Sequence, residues 1–207
     1  SASLLACGVL TGWGAVAKTA DLPTGASAAV IGVGGVGVNS VQAAAIRGAD
    51  PLIAIDLEAA KLDTSRAFGA THALQPGHDD VAAQCRAITD GRGLDYVFVT
   101  VGNAKAIAQG LGLLRKGGKL VLVGMPANGD ELSLQAGDLA NANQAILGSK
   151  MGCASIQDDV PTLVGLYETG RLKLDELVTG EYPLSDINTA IDSSRRGEAL
   201  RNVVVFE

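Results

Sequence analysis

The chain alternates short, continuous apolar runs with stretches in which apolar residues recur every three or four positions. The apolar runs lie at residues 28–31, 52–55, 94–101 and 119–124. Runs without polar alternation are typical of parallel strands that are covered on both faces. The 207-residue chain is therefore expected to form an α/β fold, with a doubly wound parallel sheet and helices on both faces.

The segments between these runs predict helices, and the pattern is less regular after residue 124. The expected helices lie at residues 36–47, 59–68, 104–114, 158–167 and 185–196, and one more begins after Asp79 or Asp80. Two cations and a glycine at 115–117 are expected to end the helix at 104–114. Shorter strands are predicted at 131–134, 144–150 and 203–207.

A glycine-rich motif joins the first apolar run to the first predicted helix. Gly32, Gly34 and Gly37 have the spacing G-x-G-x-x-G, and Asp56 ends the second apolar run. The first glycine permits a tight turn, the second lets backbone approach a phosphate, and the third lets the helix pack on the sheet. The unpaired N–H groups of the helix then face the anion. Strand, motif, helix and acid together predict a Rossmann domain that binds a dinucleotide.

The acidic residue indicates which dinucleotide binds. The carboxylate of Asp56 is expected to accept hydrogen bonds from both hydroxyls of the adenosine ribose and to repel a 2′-phosphate, which favours NAD over NADP. Lys61 follows in the next predicted helix. It is either a second contact to that ribose or a solvated helix charge, and its position alone favours the solvated charge.

Composition excludes several classes of function. The net charge is −6 and aromatic residues make up 3% of the chain, whereas nucleic-acid binding needs a basic face and usually stacking rings. The sequence contains no apolar run long enough for a membrane span, and its first residues lack the basic region of a signal peptide. Cys7, Cys85 and Cys153 form no short-spaced motif, so a reducing, cytoplasmic location is expected.

Further segments along the whole chain resemble one known family, in that family's order. They are residues 4–15 (LLACGVLTGWGA), 67–71 (AFGAT), 117–124 (GGKLVLVG) and 197–206 (GEALRNVVVF). These segments resemble the hinge, the turn after the ribose-binding strand, a later strand and the C-terminus of the medium-chain zinc alcohol dehydrogenases. The resemblance is more specific than the glycine motif alone.

The resemblance implies roles for single residues. Cys7 matches a hinge cysteine that binds the family's catalytic zinc, so it is the implied metal ligand and catalytic residue. Without the resemblance, Cys7 would be interpreted as a small buried hydrophobic residue. The motif and the resemblance together predict these cofactor-binding residues: Thr11, Gly32, Gly34, Gly35, Val36, Gly37, Asp56, Lys61, Val101, Gly102, Val123, Ser149, Met151 and Arg201.

By resemblance, these residues contact different parts of NAD. Thr11 and Val36 would border the nicotinamide ring. Val101 and Gly102 would border the adenosine side. Backbone groups at Val123, Ser149 and Met151 would bind the carboxamide. Arg201 would contact the pyrophosphate, unless it is an exposed arginine at a helix end.

The resemblance also divides the chain. Residues 9–150 would form the NAD-binding domain, whereas residues 1–8 and 151–207 would belong to a catalytic, GroES-like domain that is otherwise absent. The family's other zinc ligands lie in that domain, so the chain is expected to be a fragment that binds NAD without oxidising alcohols. The segment 151–207 is expected to expose apolar surface or to repack.

The implied function is hydride transfer between an alcohol–aldehyde pair and NAD, with zinc polarising the alcohol oxygen. One alternative is an S-(hydroxymethyl)thiol (formaldehyde) dehydrogenase of the same family. A zinc-free quinone or enoyl reductase would leave Cys7 without a role. A stand-alone NAD-sensing regulatory module is the alternative outside enzymes. Family members pair through the strand that matches 144–150, which implies a homodimer. The small alcohol or aldehyde itself is not identified by these residues.

Overall fold

The computed structural model describes residues 2–206, and a six-stranded parallel sheet lies at their centre. Its order is β3-β2-β1-β4-β5-β6. The strands are β1 (Ala28–Ile31), β2 (Leu52–Ile55), β3 (His72–Leu74), β4 (Leu94–Val99), β5 (Leu114–Leu122) and β6 (Ala145–Gly148). The order reverses between β1 and β4, as in doubly wound dinucleotide-binding folds. The predicted Rossmann-type α/β fold is therefore confirmed.

Helices and a small second sheet complete the described residues. The α-helices are α1 (Gly8–Gly14), α2 (Gly37–Ile46), α3 (Ala59–Ala67), α4 (Val81–Ile88), α5 (Ala104–Leu113), α6 (Ala136–Asn141), α7 (Ile156–Glu168) and α8 (Ile187–Arg195). A π-helix, Ala15–Thr19, continues α1. The second sheet pairs β7 (Val178–Pro183) with β8 (Arg201–Val205) in parallel. Within residues 2–206, no helix is long and apolar enough to cross a membrane.

Each face of the central sheet is covered by its own apolar cluster. Ala28 and Val30 of β1 belong to one cluster, which includes Val38 of α2. Ala29 and Ile31 belong to the other cluster, to which α4 and α5 contribute. Successive side chains of a strand point to opposite faces. The unbroken apolar run of β1 is therefore explained by burial on both sides.

The C-terminal segment is partly buried against the sheet domain and partly exposed. Leu163 and Leu174 are fully or almost fully buried in the same apolar cluster as α2. By contrast, Leu184, Ile191 and Phe206 are exposed, Phe206 to 73%. Ser1 and Glu207, which belong to the predicted segments 1–8 and 151–207, lie outside the described residues.

Several local predictions are corrected. Residues 131–134 form an irregular loop instead of a strand, and α6 follows them. The 115–117 segment lies within β5 rather than ending a helix, because α5 ends at Leu113 and β5 begins at the next residue. The last strand covers Arg201–Val205 rather than 203–207.

The partly buried carboxylate of Asp95 ties the start of β1 to β4 and β5. Asp95 Oδ2 accepts hydrogen bonds from the backbone N–H and the hydroxyl of Ser27, at 2.9 and 2.7 Å. Arg115 Nε donates to Asp95 Oδ1. Burial raises the pKa of Asp95, but the hydrogen bonds from Ser27 and Arg115 together outweigh burial and leave the pKa below its usual value.

We expect Asp95→Asn to lower the free energy of unfolding by about 1–3 kcal/mol at pH 7, because hydrogen bonds to a charged group are lost. A carboxyl whose folded pKa is depressed stabilises the fold above its unfolded pKa, and this stabilisation is lost as pH falls through the folded pKa. The folded pKa of Asp95 lies below its usual value of 3.8, so in urea denaturation the difference from wild type should shrink only as the pH falls below about 4. Asp63→Asn, an exposed acid on α3, is the control. A difference that does not change with pH would contradict the assignment.

Candidate functional site

The glycine motif forms the turn between β1 and α2, and two of its glycines are required by the fold. Gly32 has a left-handed φ of +85°, and a Cβ there would lie 2.4 Å from Val101 Cγ1. A Cβ on Gly37 would lie 1.8 Å from the carbonyl oxygen of Gly32. Val38 N donates to Gly34 O at 2.8 Å. The first turn of α2 therefore lies directly on the loop, and its N-terminus is directed to the carboxyl edge of the sheet.

Gly34 differs from its neighbours in the motif, because no intramolecular packing explains it. Its φ is outside the left-handed region. Apart from its chain neighbours, no described atom lies within 4 Å of the position that a Cβ would take. The open space above Gly34 is what close approach of a pyrophosphate requires. The loop therefore fits the predicted dinucleotide.

Asp56 lies at the end of β2, beside the glycine loop. Its Oδ2 accepts a hydrogen bond from Val33 N at 2.8 Å, and its Oδ1 accepts one from Glu58 N at 3.0 Å. A carboxylate has about four acceptor positions, so each oxygen retains one for a ligand hydroxyl. The half-buried carboxylate is thus oriented by the backbone on both sides of the loop.

A cleft of about 410 Å³ opens in front of Asp56. Gly32 and Val101 line it, and Lys105 of α5 lies on its other side. Val101 is 36% exposed. Gly102, also exposed, packs so closely on the next loop that its Cβ would lie 2.1 Å from Met125 O. The cleft lies outside the carboxyl ends of β1 and β4, where the strand order reverses, which is where ligands bind in such sheets.

The structure brings Lys61 to a partner that the sequence pattern did not indicate. Lys61 Nζ donates to Glu58 Oε1 at 2.8 Å. Both atoms lie 3.2 Å from the position of a Cβ on Gly197, in the turn between α8 and β8. The ammonium group of Lys61 is thus paired in the absence of any ligand.

Arg201 reaches the glycine loop from the distant strand β8. Its Nη2 donates to the carbonyl oxygen of Gly35 at 2.9 Å. Gly8 and Gly35 leave room for the guanidinium, since a Cβ on either would lie 1.6 or 2.5 Å from its nitrogens. Burial lowers the pKa of Arg201, and the nearby Cys7 partly offsets this effect. A partly buried cation therefore lies next to the space above Gly34.

Cys7 is exposed and lines a second cleft of about 370 Å³ together with Gly8 and Arg201. Residues 2–206 contain no group of three or more His, Cys, Asp or Glu side chains placed to hold a metal ion. The described residues by themselves therefore do not fit a zinc site. Cys7 is positioned beside the glycine loop through its neighbour Gly8 and through Arg201.

Thr11, predicted to border the nicotinamide ring, meets Ser149 and Met151, predicted to bind its carboxamide, where α1 contacts the turn after β6. Thr11 Oγ1 donates to Met151 Sδ at 3.8 Å, and Ser149 Oγ shares a 2.8 Å hydrogen bond with Thr19 Oγ1. Met151, Gly152 and Cys153 all have left-handed φ values, +52°, +71° and +51°. Such backbone is strained for residues other than glycine, so the contacts with α1 and the π-helix hold the turn.

Two further predicted residues lie at the ends of elements near this region. Val36 is half-buried at the N-cap of α2. Val123 is buried directly after β5, and its N–H donates to Val99 O at 2.9 Å. Val36 follows Gly32, which lines the cleft, in the glycine motif. The contacts of Val36 and Val123 with a ligand stay a prediction.

Sequence reasoning missed a buried polar network behind the glycine loop. Asn39 Nδ2 donates to Gly35 O at 2.8 Å, and Gln42 Nε2 donates to Asn39 Oδ1 at 2.6 Å. Gln42 Oε1 accepts a hydrogen bond from Lys173 N at 3.0 Å. The signal was available, because Asn39 and Gln42 are large polar residues on an otherwise apolar helix.

Comparison with known proteins gives a consistent result. Residues 35–169 match the sequence profile of a family described as zinc-binding dehydrogenase. An NDMA-dependent alcohol dehydrogenase from Amycolatopsis methanolica is 35% identical over 209 residues, covering 99% of this chain and 56% of that protein. A probable S-(hydroxymethyl)glutathione dehydrogenase from Schizosaccharomyces pombe is 38% identical over 206 residues, with coverages of 99% and 54%.

A solved structure has the same fold. Benzyl alcohol dehydrogenase from Acinetobacter calcoaceticus matches with a TM-score of 0.94 and 32% identity, over 98% of this chain and 56% of that one. This chain therefore spans about half the length of the curated relatives it matches.

The glycines of the loop are expected to respond differently to an added methyl group. Gly37→Ala should lower the free energy of unfolding by about 2–3 kcal/mol, because the Cβ overlaps the Gly32 carbonyl. Gly34→Ala should change it by less than about 0.5 kcal/mol, because the Cβ points into open space. Urea denaturation of both variants measures this contrast. Equal losses would contradict the packing described.

Proposed function

The chain belongs to the zinc-binding dehydrogenase family, and on that premise we propose that it is the NAD-binding portion of a zinc-dependent alcohol dehydrogenase. The whole protein would transfer hydride between an alcohol–aldehyde pair and NAD. Membership confirms the resemblance of the chain to the medium-chain zinc alcohol dehydrogenases. The observation that carries NAD binding is the open space at the Cβ position of Gly34, next to Gly35, whose carbonyl oxygen accepts a hydrogen bond from Arg201.

The described residues would hold NAD in three places. The pyrophosphate would lie above Gly34, where the N-terminus of α2 and the Arg201 guanidinium both favour an anion. The adenosine would enter the 410 Å³ cleft, with the free acceptor positions of Asp56 available to the ribose hydroxyls. Thr11 and Val36 would border the nicotinamide ring, and backbone groups at Ser149 and Met151 would bind its carboxamide. Bound NAD would supply the hydride acceptor.

Zinc is proposed for the whole protein and not for this chain alone. We infer that Cys7 contributes one ligand, because it is exposed in the cleft next to Arg201. Since residues 2–206 hold no complete ligand set, we expect no alcohol oxidation by the chain alone. The division into residues 9–150 for NAD and 1–8 with 151–207 for a catalytic domain belongs to the same proposal.

A second candidate substrate is an S-(hydroxymethyl)thiol adduct. It is favoured by the 38% identity to the protein named as a probable S-(hydroxymethyl)glutathione dehydrogenase. A cytoplasmic location is also proposed, since the three cysteines are free thiols and a reducing compartment maintains that state.

We expect the chain to bind NADH more tightly than NADPH in fluorescence titration. Asp56→Ala should weaken NADH binding about tenfold to a hundredfold, because hydrogen bonds to a charged acceptor are lost, and should reduce the preference over NADPH. NADPH binding to wild type as tight as NADH binding would contradict the role of Asp56.

Gly34→Ala is the matched control for that titration. Both nucleotides contain the pyrophosphate, so the added methyl group should weaken NADH and NADPH equally, without changing the preference between them. Of these two variants, only Asp56→Ala should change the preference for NADH over NADPH.

We also propose a homodimer that forms through residues 144–150, because β6 is an edge strand of the sheet and exposed edges pair readily.

Gly148→Lys should give a monomer in light scattering, since a charge on the edge opposes pairing. Neither Gly148 nor Gly112 of α5 has a described atom within 4 Å of its Cβ position, outside its own immediate backbone. Gly112→Lys should therefore remain a dimer. A monomeric wild-type chain at high concentration would overturn the proposal.

A further inference from the structure

A chain of contacts extends outward from the proposed ribose-binding acid. Asp56 Oδ1 accepts a hydrogen bond from the backbone N–H of Glu58 at 3.0 Å. The side chain of Glu58 in turn accepts one from Lys61 Nζ at 2.8 Å. Glu58 is thus held directly beside Asp56 and is also the ion-pair partner of Lys61. Two acids and one cation lie at the corner between β2 and α3.

The turn that leads to Arg201 packs against this ion pair. Gly197 has a left-handed φ of +72°, and its Cβ position lies 3.2 Å from both Glu58 Oε1 and Lys61 Nζ. The side chain of Lys61 is only 20% exposed, whereas that of Glu58 is 53% exposed. Lys61 is therefore confined between α3 and the turn, with its ammonium group against Glu58.

The Glu58–Lys61 ion pair contributes little to the stability of the fold. An ion pair three positions apart with one partner 53% exposed contributes only slightly to stability. The ion pair is expected to affect the binding of a charged ligand more than it affects the stability of the fold. A 2′-phosphate carries a charge of about −2 near neutral pH and would need a cation at this corner, because Asp56 repels it. Lys105 of α5 also lines the cleft, but Lys61 is the cation at the corner between β2 and α3, and Glu58 neutralises it.

We propose that Glu58 is a specificity-determining residue, which excludes NADP by keeping Lys61 paired. This inference rests on the proposed NAD binding and deepens it. Asp56 repels the 2′-phosphate directly, and Glu58 removes the cation that would otherwise compensate the repulsion. An ammonium group has three donors, so Lys61 retains donors for a ribose hydroxyl while it is paired with Glu58.

The test is a double-mutant cycle on the purified chain, with NADH and NADPH titrated by fluorescence. Glu58→Gln keeps the shape of the side chain and frees Lys61, so NADPH should bind about tenfold more tightly, while NADH binding should change less than about twofold. In the Lys61→Met background the same Glu58→Gln change should leave NADPH binding almost unaltered. Asp63→Asn, which removes an exposed acid from the same helix, is the charge control and should have little effect.

Two results would overturn the inference. One is an unchanged ratio of NADH to NADPH affinity in Glu58→Gln. The other is an equal gain in NADPH affinity with and without Lys61, which would mean that Glu58 acts only through its own charge. A wild-type chain that binds neither nucleotide would instead overturn the NAD-binding proposal, and the inference with it. Thermal unfolding of each variant checks that the fold is retained.

Discussion

Contact between backbones around the turn from β1 to α2 is the constraint on which the rest of the site depends. The first turn of α2 lies so close to the loop that only glycine fits at position 37. A Cβ on Gly12 of α1 would lie 2.6 Å from Asn39 Cβ in α2. Cys7 lies at the start of α1, and Thr11 lies within it. The close contact between α1 and α2 therefore fixes the positions of Cys7 and Thr11 relative to the glycine loop.

The carbonyl oxygen of Gly35 connects the glycine loop with two distant parts of the chain. It accepts hydrogen bonds from Asn39 behind the loop and from Arg201 in front of it. Asn39 is linked through Gln42 to the backbone of Lys173. Buried polar groups are costly when they lose a partner. The C-terminal segment is therefore coupled to the glycine loop by polar contacts as well as by apolar packing.

The most regular parts of the fold could be predicted from the sequence, whereas the contacts that complete the site could not. The bounds of β1 and β2 match the predicted 28–31 and 52–55, because burial on both faces leaves an unbroken apolar run. Residues 131–134 have a strand-like pattern but no neighbouring strand to pair with, and a pattern does not report on partners. The contact of Arg201 with the glycine loop depends on the tertiary fold, which brings β8 to the loop. Glu58 and Lys61 are only three positions apart and pair locally, whereas the packing of the turn at Gly197 against them depends on the tertiary fold.

The glycines of the motif occupy their positions for different physical reasons, although the G-x-G-x-x-G pattern does not distinguish them. Gly32 and Gly37 are explained by backbone conformation and packing within the chain, and they would be needed whether or not a ligand binds. Gly34 has an ordinary φ and open space around its Cβ position, so the fold does not require glycine there. Under the proposed function, the missing side chain leaves room for the pyrophosphate. Gly34 is therefore the glycine of the motif whose proposed role depends on the ligand and not on the fold.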